Sequence, residues 1–561
     1  MSESAQQLAG PAAQGDWLRG RPRHRGAPAS LDDIRALVRQ VGPREALSGL
    51  EGSFALSVAL DDGGRLLAVD RFAIERLCWR RVGDAATVAA HWRADQLADI
   101  APAADIDPQA LFNYFHFHVI PAPLTVFAGV HRLPAGHMAL ARGGEVRIEP
   151  YWQPRFEPVA RPDFGSLKAE FRELLRASVQ RALTASPAAC FLSGGTDSST
   201  VAGMIREATG EGADAFSIGF EAEGYDEMAY ARVAAKAFGA RHHAYYVTPD
   251  DLLRAIPTAA AWHDQPFGNS SLVPALCCAE QARSAGFDHL LAGDGGDELF
   301  GGNARYAKQR VFAWYGAVPS ALRGGLIEPV LLHSPLGRLP LLKKGASYVQ
   351  QARVPMPDRL DLYNLVWRVG VAEVVGHRLL QQVQADGPAT LQREVWQASR
   401  AGTELDTTLV YDWRFTLAEN DLPKVTHATA QAGVGTAFPL LDQALVDFSL
   451  RLPADYKLRG LGLRWFFKEA LRGFLPDEII AKKKHGFGLP FGVWAARHAG
   501  LRELASDSLH GAAERGLLQP AFAKRLLDEL LLSHPGYYGE LVWIVMMMEQ
   551  WFRRVRPGYR V

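Results

Sequence analysis

Between Ser166 and Gly295 the sequence pairs a stretch of helically spaced apolar residues with a short apolar run, four times over. LKAEFRELLRASVQRAL leads to CFLSG, SSTVAGMIREA to AFSIGF, EMAYARVAAKAF to HHAYYVT, and the LVPALCCAEQARSA region to FDHLLAGDG. Such alternation predicts a parallel, doubly wound α/β sheet, since parallel neighbours need crossover helices. Two of the strands run straight into glycines and acids. In open α/β sheets ligands bind beyond the carboxyl ends of the strands, so these two exits are where function is sought.

The rest of the chain has a different texture. Residues 1–30, rich in Gly, Pro, Ala and Arg, are expected to be poorly ordered. From Gly52 the sequence turns strand-like: GSFALSVAL, a DDGG turn and RLLAVDRF predict a hairpin, with short strands near Leu77 and Val88. A β-rich domain over 31–154 is followed by a proline-bearing linker, 155–165, and then the α/β part, 166–561, mostly helical after Tyr306. With 61 basic and 61 acidic residues, charge gives no reason to expect nucleic acid or a membrane surface as partner. Cys78, Cys190, Cys277 and Cys278 show no metal spacing and suit reduced thiols in a cytoplasmic protein. The N-terminus lacks the charged-then-apolar pattern of a signal peptide. LVWIVMMM (541–548) is too short to span a bilayer and predicts a buried helix.

The first exit is AACFLSGGTDSST (188–200). Glycines let a backbone approach a ligand closely. The following helix offers free N–H groups and a positive dipole end, which suits phosphate. Asp197 would repel phosphate unless a divalent cation bridges the two. Taken alone, the same residues also fit an ordinary glycine turn with Asp197 as a first-turn helix acid. The second exit, LLAGDGGDELFGG (290–302), weighs for the functional reading, because Asp294, Asp297 and Glu298 lie within five residues. Acids so close repel one another unless cations or a basic ligand sit among them. Two such loops facing one crevice would let Asp197 and Asp297 share magnesium on a pyrophosphate.

SGGTDSS resembles the pyrophosphate loop of the N-type ATP pyrophosphatases. The series SGGTDSS, FSIGF, GYDEMAYAR, DQPFGNSS, AGDGGDELFGG, FPLLD and KKKHGFGLP resembles, in order, the asparagine synthetase family over Ser166 to Phe491. LEGSFALSVAL, VDRFAIERL and PAPLTVFAGVHRLPAGH resemble that family's glutaminase-like domain of the N-terminal-nucleophile type. The resemblance implies an enzyme that activates a carboxylate with ATP as an acyl-adenylate, releases pyrophosphate and forms an amide. It places adenine against Leu192 and Ser217, Ile218 and Gly219. It puts pyrophosphate on Ser193, Gly194, Gly195, Asp197 and Ser198, magnesium on Asp197 and Asp297, and the α-phosphate near Gly293. Asp294 would assist the amine. Lys484 would supply fixed positive charge to the departing pyrophosphate, with Lys482 and Lys483 solvated.

Two departures qualify what carries over. The chain begins Met1-Ser2-Glu3 without the nucleophilic cysteine of glutamine-using members, so the first domain is expected to be a degenerate relic without glutaminase activity. In THATAQAGVGTAFPLLD (426–442), Thr426-His427 and Gly435-Thr436-Ala437 stand where the family usually carries charges, which argues against an acceptor pocket built for aspartate. The leading expectation is an amide ligase of asparagine synthetase type, acting on a small-molecule or peptide carboxylate with ATP and Mg2+, and open to a separate ammonia source and to a homodimer. The alternatives are an intramolecular or peptide cyclase of the β-lactam synthetase or lasso-peptide cyclase type, and a non-catalytic nucleotide-binding scaffold.

Overall fold

A computed structural model describes residues 15–82, 87–100, 103–160, 163–184, 187–333, 340–399, 401–482 and 488–561. In the N-terminal part, β1 (Trp17–Gly20), β2 (Phe54–Ala59), β3 (Arg65–Val69), β4 (His137–Arg142) and β5 (Glu145–Pro150) form an antiparallel sheet in chain order. The predicted hairpin is β2–β3, with Ala55 opposite Val69. Strand side chains alternate between faces, and both faces are buried here. Phe54, Leu56, Leu66 and Met138 enter one core cluster, and Ala55, Leu67, Val69 and Ala139 another. The expectation of a poorly ordered segment over residues 1–30 fails for the described part. Trp17 is buried in β1 and donates its indole N–H to the Ala90 carbonyl at 3.2 Å, so one aromatic anchor outweighs the glycine- and proline-rich surroundings.

After the linker come α1 (Phe164–Ala182), β6 (Ala189–Phe191), α2 (Thr196–Thr209), β7 (Asp214–Phe220), α3 (Met228–Phe238) and β8 (Arg241–Val247). Next are α4 (Pro249–Trp262), α5 (Leu272–Ser284) and β9 (His289–Leu291). A long helical excursion then includes α6 (Ala304–Ala317) and α7 (Leu422–Gln431) before β10 (Gly435–Ala437). The five strands pair in parallel in the order β8-β7-β6-β9-β10. The doubly wound sheet is as expected, with β10 an addition that three residues with a glycine do not announce. Alternate residues again serve opposite faces. Cys190, Ala215 and Leu291 pack with α1, α2 and α3, while Ala189, Phe216 and Leu290 meet Cys278, Ala279 and Ala282 of α5. Because β6 is followed by strands on one side and flanked by β9 on the other, the order reverses between them, and a crevice opens at their carboxyl ends.

The C-terminal part contributes α8 (Trp465–Ala470) and α9 (Pro535–Val555). LVWIVMMM lies within α9 and is buried throughout. No helix among the described residues is long and apolar enough to cross a membrane. The N-terminal domain is fixed to the rest through buried groups. Tyr114 donates its hydroxyl to the Ile544 carbonyl at 2.8 Å, and Phe72 meets Trp413 at a centroid distance of 5.7 Å. Glu419 takes both Arg132 of the first domain and Arg414, the latter at 2.8 Å.

Candidate active site

β6 ends at Phe191, and Leu192 still bonds across to Phe216 O at 2.8 Å before the chain turns through Ser193, Gly194 and Gly195 into α2. Gly194 has φ 70, and a Cβ there would lie 2.4 Å from the Ala231 nitrogen of α3, so only glycine fits. The loop is braced internally. The Ser198 hydroxyl accepts from the Ser193 N–H at 3.1 Å and lies 3.0 Å from the Ser193 hydroxyl. Gly195 leads into the first turn of α2 without a side-chain cap, which leaves helix N–H groups available to an anion.

The loop after β9 closes against this one. A Cβ on Gly293 would lie 2.8 Å from the Ser198 nitrogen, and one on Gly296 would lie 2.2 Å from an Asp197 carboxylate oxygen. The two exits therefore share one crevice, with backbone of one against side chain of the other. Arg464, at the start of α8, joins them. Its Nη1 donates to the Thr196 hydroxyl at 2.8 Å, to Asp197 at 2.8 Å and to Asp297 at 3.1 Å, and its Nη2 also donates to Asp197. The guanidinium lies 4.1 Å from the Phe467 ring centroid, and the residue is only 4 % exposed.

The other acids are managed differently. Asp294 receives the Lys424 ammonium of α7 at 3.3 Å, shared with Asp421 at the same distance. Burial pushes the Asp294 carboxyl up, and Lys424 pulls it back. Burial opposes the charge of Lys424, but Asp421 and Asp294 outweigh it and hold its proton more tightly than usual. Burial, with Asp421 and Asp412 nearby, pushes Glu298 up to about 8. The crowded acids of the sequence thus resolve into an arginine-bridged pair, a lysine-paired acid and one whose carboxyl is raised by burial.

On the β7 side, Ser217 is buried, donates to the Leu192 carbonyl and meets His242 Nε2 at 2.8 Å. A Cβ on Gly219 would lie 2.7 Å from the Tyr246 ring. Leu192, Ser217 and Gly219 are thus buried at the ends of β6 and β7, and Ile218 is half-buried between them. Lys482, expected to be solvated, is not. Its side chain is 8 % exposed, its ammonium is 2.9 Å from Glu227 and donates to the Gly194 carbonyl at 3.4 Å, so pairing at the glycine loop prevails over the charge run's pull to solvent. Lys483 and Lys484 lie outside the described residues. Sequence reasoning missed Arg464 and Lys424. The signal for them was indirect: clustered acids require bases, but nothing around either residue says it is the one. Among the described residues there is no group of three or more His, Cys, Asp or Glu that could hold a metal ion.

At the acceptor element, His427 Nδ1 lies 2.6 Å from His263 Nδ1, and Arg76 approaches His427 Nε2 at 3.5 Å. Burial, together with His263 and Arg76, holds the His427 pKa far below the usual range, so a neutral pair stands at a position where the resemblance leads one to expect charge.

The Asparagine synthase family model matches residues 170–553, and the Glutamine amidotransferase domain model matches residues 32–152. The chain is 25 % identical over 521 residues to asparagine synthetase (glutamine-hydrolyzing) 1 of Bacillus subtilis, covering 90 % of this chain and 78 % of that protein. It is 27 % identical to a putative asparagine synthetase (glutamine-hydrolyzing) of Mycobacterium tuberculosis, covering 90 % and 77 %. A putative asparagine synthetase (glutamine-hydrolyzing) 2 of Methanocaldococcus jannaschii is 35 % identical over 209 residues, covering 36 % and 40 %.

Proposed function

Because the chain belongs to the asparagine synthase family, we propose that it is an ATP-dependent amide-forming ligase that adenylates a carboxylate and has no glutaminase activity of its own. The observation that carries the reading is the meeting of Asp197 and Asp297 on Arg464, at the point where the strand order reverses.

In this reaction a substrate carboxylate oxygen attacks the α-phosphorus of ATP, and the bond from that phosphorus to the bridging oxygen breaks to release pyrophosphate. An amine nitrogen then attacks the acyl carbon, AMP leaves, and the amine gives up a proton. The glycine loop and the start of α2 hold the β- and γ-phosphates, with Ser193, Gly195 and Ser198 as donors. The glycines whose Cβ positions are blocked, Gly194, Gly293 and Gly296, fit a backbone that must come close to such a ligand. Asp197 and Asp297 are the residues that would hold a magnesium ion, through the carboxylate lone pairs that Arg464 leaves open. When bound, that ion would neutralise charge on the phosphates. Arg464 already supplies positive charge to the same two carboxylates, and Lys482 donates to the glycine loop at the Gly194 carbonyl. Asp294, raised by burial and set against Lys424, is placed to take the proton of the amine.

The absence of glutaminase activity rests on the thiols. All four cysteines are buried, and burial pushes each thiol up, Cys190 and Cys277 to about 12. None resembles the reactive, exposed thiolate that hydrolysis of glutamine needs. A cyclase reading stays second, favoured by the uncharged His427–His263 pair in the acceptor element.

The test is ATP–pyrophosphate exchange across a panel of carboxylates, with glutamate release from glutamine followed in parallel. Exchange that depends on a carboxylate and disappears in Asp197→Asn and Asp297→Asn is the expected result. Full exchange in either folded variant removes the pair from the mechanism, and glutamate release by the purified protein overturns the second half of the reading.

A further inference from the structure

The loop that carries Asp294 and Asp297 runs through Gly302 directly into α6, and α6 forms one side of a cavity of about 540 Å3. Ala304, Arg305, Lys308 and Gln309 face it from that helix. The opposite wall comes from the amidotransferase-like domain: His116, Phe117, His118 and Val119, at the end of the helix Pro108–Phe117. The wall is held in place. Phe117 stacks on Phe415 with centroids 5.1 Å apart, and the Asn364 amide donates to the His116 carbonyl at 2.7 Å. Asn420 lines the cavity as well, receives the Asn269 amide at 2.6 Å, and is followed by Asp421, which shares Lys424 with Asp294. One residue of the lining is thus the chain neighbour of Asp421, which shares Lys424 with the acid of the proposed reaction.

Its chemistry is uneven. Phe117, Phe415, Tyr411, Tyr363 and Leu360 give flat apolar surface. Lys308 holds its ammonium 4.2 Å from the centre of the Tyr363 ring, and no carboxylate among the described residues pairs with it. His116, 7 % exposed, keeps its Nδ1 without a hydrogen-bond partner, and so does Nε2 of His118. Cavities of roughly 300–1,000 Å3 bury molecules well beyond a free amino acid in size. One turn of α6, about 6 Å of axial rise, separates Ala304 at the loop end from Lys308.

We propose that this cavity, with one wall lent by the N-terminal domain, binds the acyl substrate, and that the substrate is an elongated molecule carrying an aryl or similarly flat apolar group and a second carboxylate that Lys308 receives. The proposal rests on the amide-ligase reading of the adjoining site. It gives the first domain a part in substrate recognition that needs no glutamine chemistry, and it turns the missing acceptor charges into a consequence of a different substrate.

The experiment is calorimetric titration of the full chain with L-aspartate, N-acetyl-L-aspartate, N-benzoyl-L-aspartate and N-benzoyl-L-glutamate, beside titration with a non-hydrolysable ATP analogue. The benzoyl compounds are expected to bind at least tenfold more tightly than aspartate. Lys308→Met should weaken them about tenfold, and Lys308→Arg should retain most of the affinity, both with unchanged melting temperature and nucleotide affinity. Equal affinity for aspartate, no binding of either benzoyl compound, or indifference to Lys308→Met overturns the proposal. Failure to bind the ATP analogue, with the benzoyl compounds still bound, defeats the ligase reading and leaves the cavity assignment standing.

Discussion

Arg464 neutralises two carboxylates at once, and this fixes what their amides should do. In Asp197→Asn the hydrogen-bond geometry to Arg464 survives in outline while one negative charge is lost. Exchange should fall by a hundredfold or more, about 3 kcal/mol of transition-state stabilisation, with the fold retained, and exchange kinetics beside a thermal melt check it. Lys482 and Lys484 should separate cleanly. Lys484→Ala is expected to lower turnover about a hundredfold with little change in nucleotide affinity, and arginine should rescue it poorly because it lacks the compact point charge. Lys482→Ala should instead weaken nucleotide binding, since that ammonium is tied to Glu227 and the Gly194 carbonyl. Turnover and nucleotide affinity for the three variants decide whether the roles divide this way. Asp70, in the first domain, offers a pH test. Its buried carboxylate accepts from the N–H groups of Phe54, Phe72, Ile74 and Glu75, yet burial, helped by the Glu75 carboxylate, pushes it up to about 7. The folded state then holds a proton that the unfolded chain has released, so this contribution to stability is full below about pH 4 and is lost as pH rises through about 7. Asp70→Asn should flatten that part of the profile. A melting-temperature difference from the parent that stays constant between these limits would show that Asp70 is already ionised when folded.

Elements set how much of the site could be foreseen. β6 and β9 are short apolar runs ending in glycines and acids, so their exits advertised themselves locally. β10 is three residues with a glycine, and it pairs only because β9 offers an open edge. The segment Trp413–Asp421 winds wider than an α-helix, with π-type hydrogen bonds, and nothing in WRFTLAEND predicts that. Yet this segment places Glu419 at the domain interface, Asn420 in the cavity lining and Asp421 against Lys424. Lys424 and Arg464 escaped prediction for the same reason: one sits in a helix and the other just before one, each in a pattern of ordinary packing, and its partner is fixed only by tertiary structure. The glycine loop, by contrast, makes a sharp prediction from its own geometry. Gly194→Ala forces a methyl onto the Ala231 nitrogen at a positive φ. It should displace the loop, cost on the order of 1–3 kcal/mol in stability and remove most nucleotide binding, which calorimetry and urea melts would measure together. Binding at the parent level would mean that the loop has room to move away from α3.

At the scale of the whole molecule the two domains behave as one buried structure. Burial opposes ionisation of Glu419, but Arg132 and Arg414 keep its carboxyl below the usual range. Glu419→Gln would leave two buried guanidinium groups without their charge partner, at a cost of about 3–5 kcal/mol. Urea unfolding should show a large loss and an earlier transition for the first domain. A variant as stable as the parent would mean that the interface is held by its aromatic and apolar contacts alone. The sequence alone disclosed the existence of two domains, because strand texture and alternation differ. It did not disclose that Trp17 seals the first sheet or that His116–Val119 reach the second domain's cavity, since such contacts depend on how finished domains meet. The bridge of Arg464 across Asp197 and Asp297 also orders events in time. A ribosome delivers the two acids long before the arginine that reconciles them, and β10 comes late as well. Until that stretch emerges, Asp197 and Asp297 lack the base that pairs them, and their mutual repulsion opposes closing of the crevice.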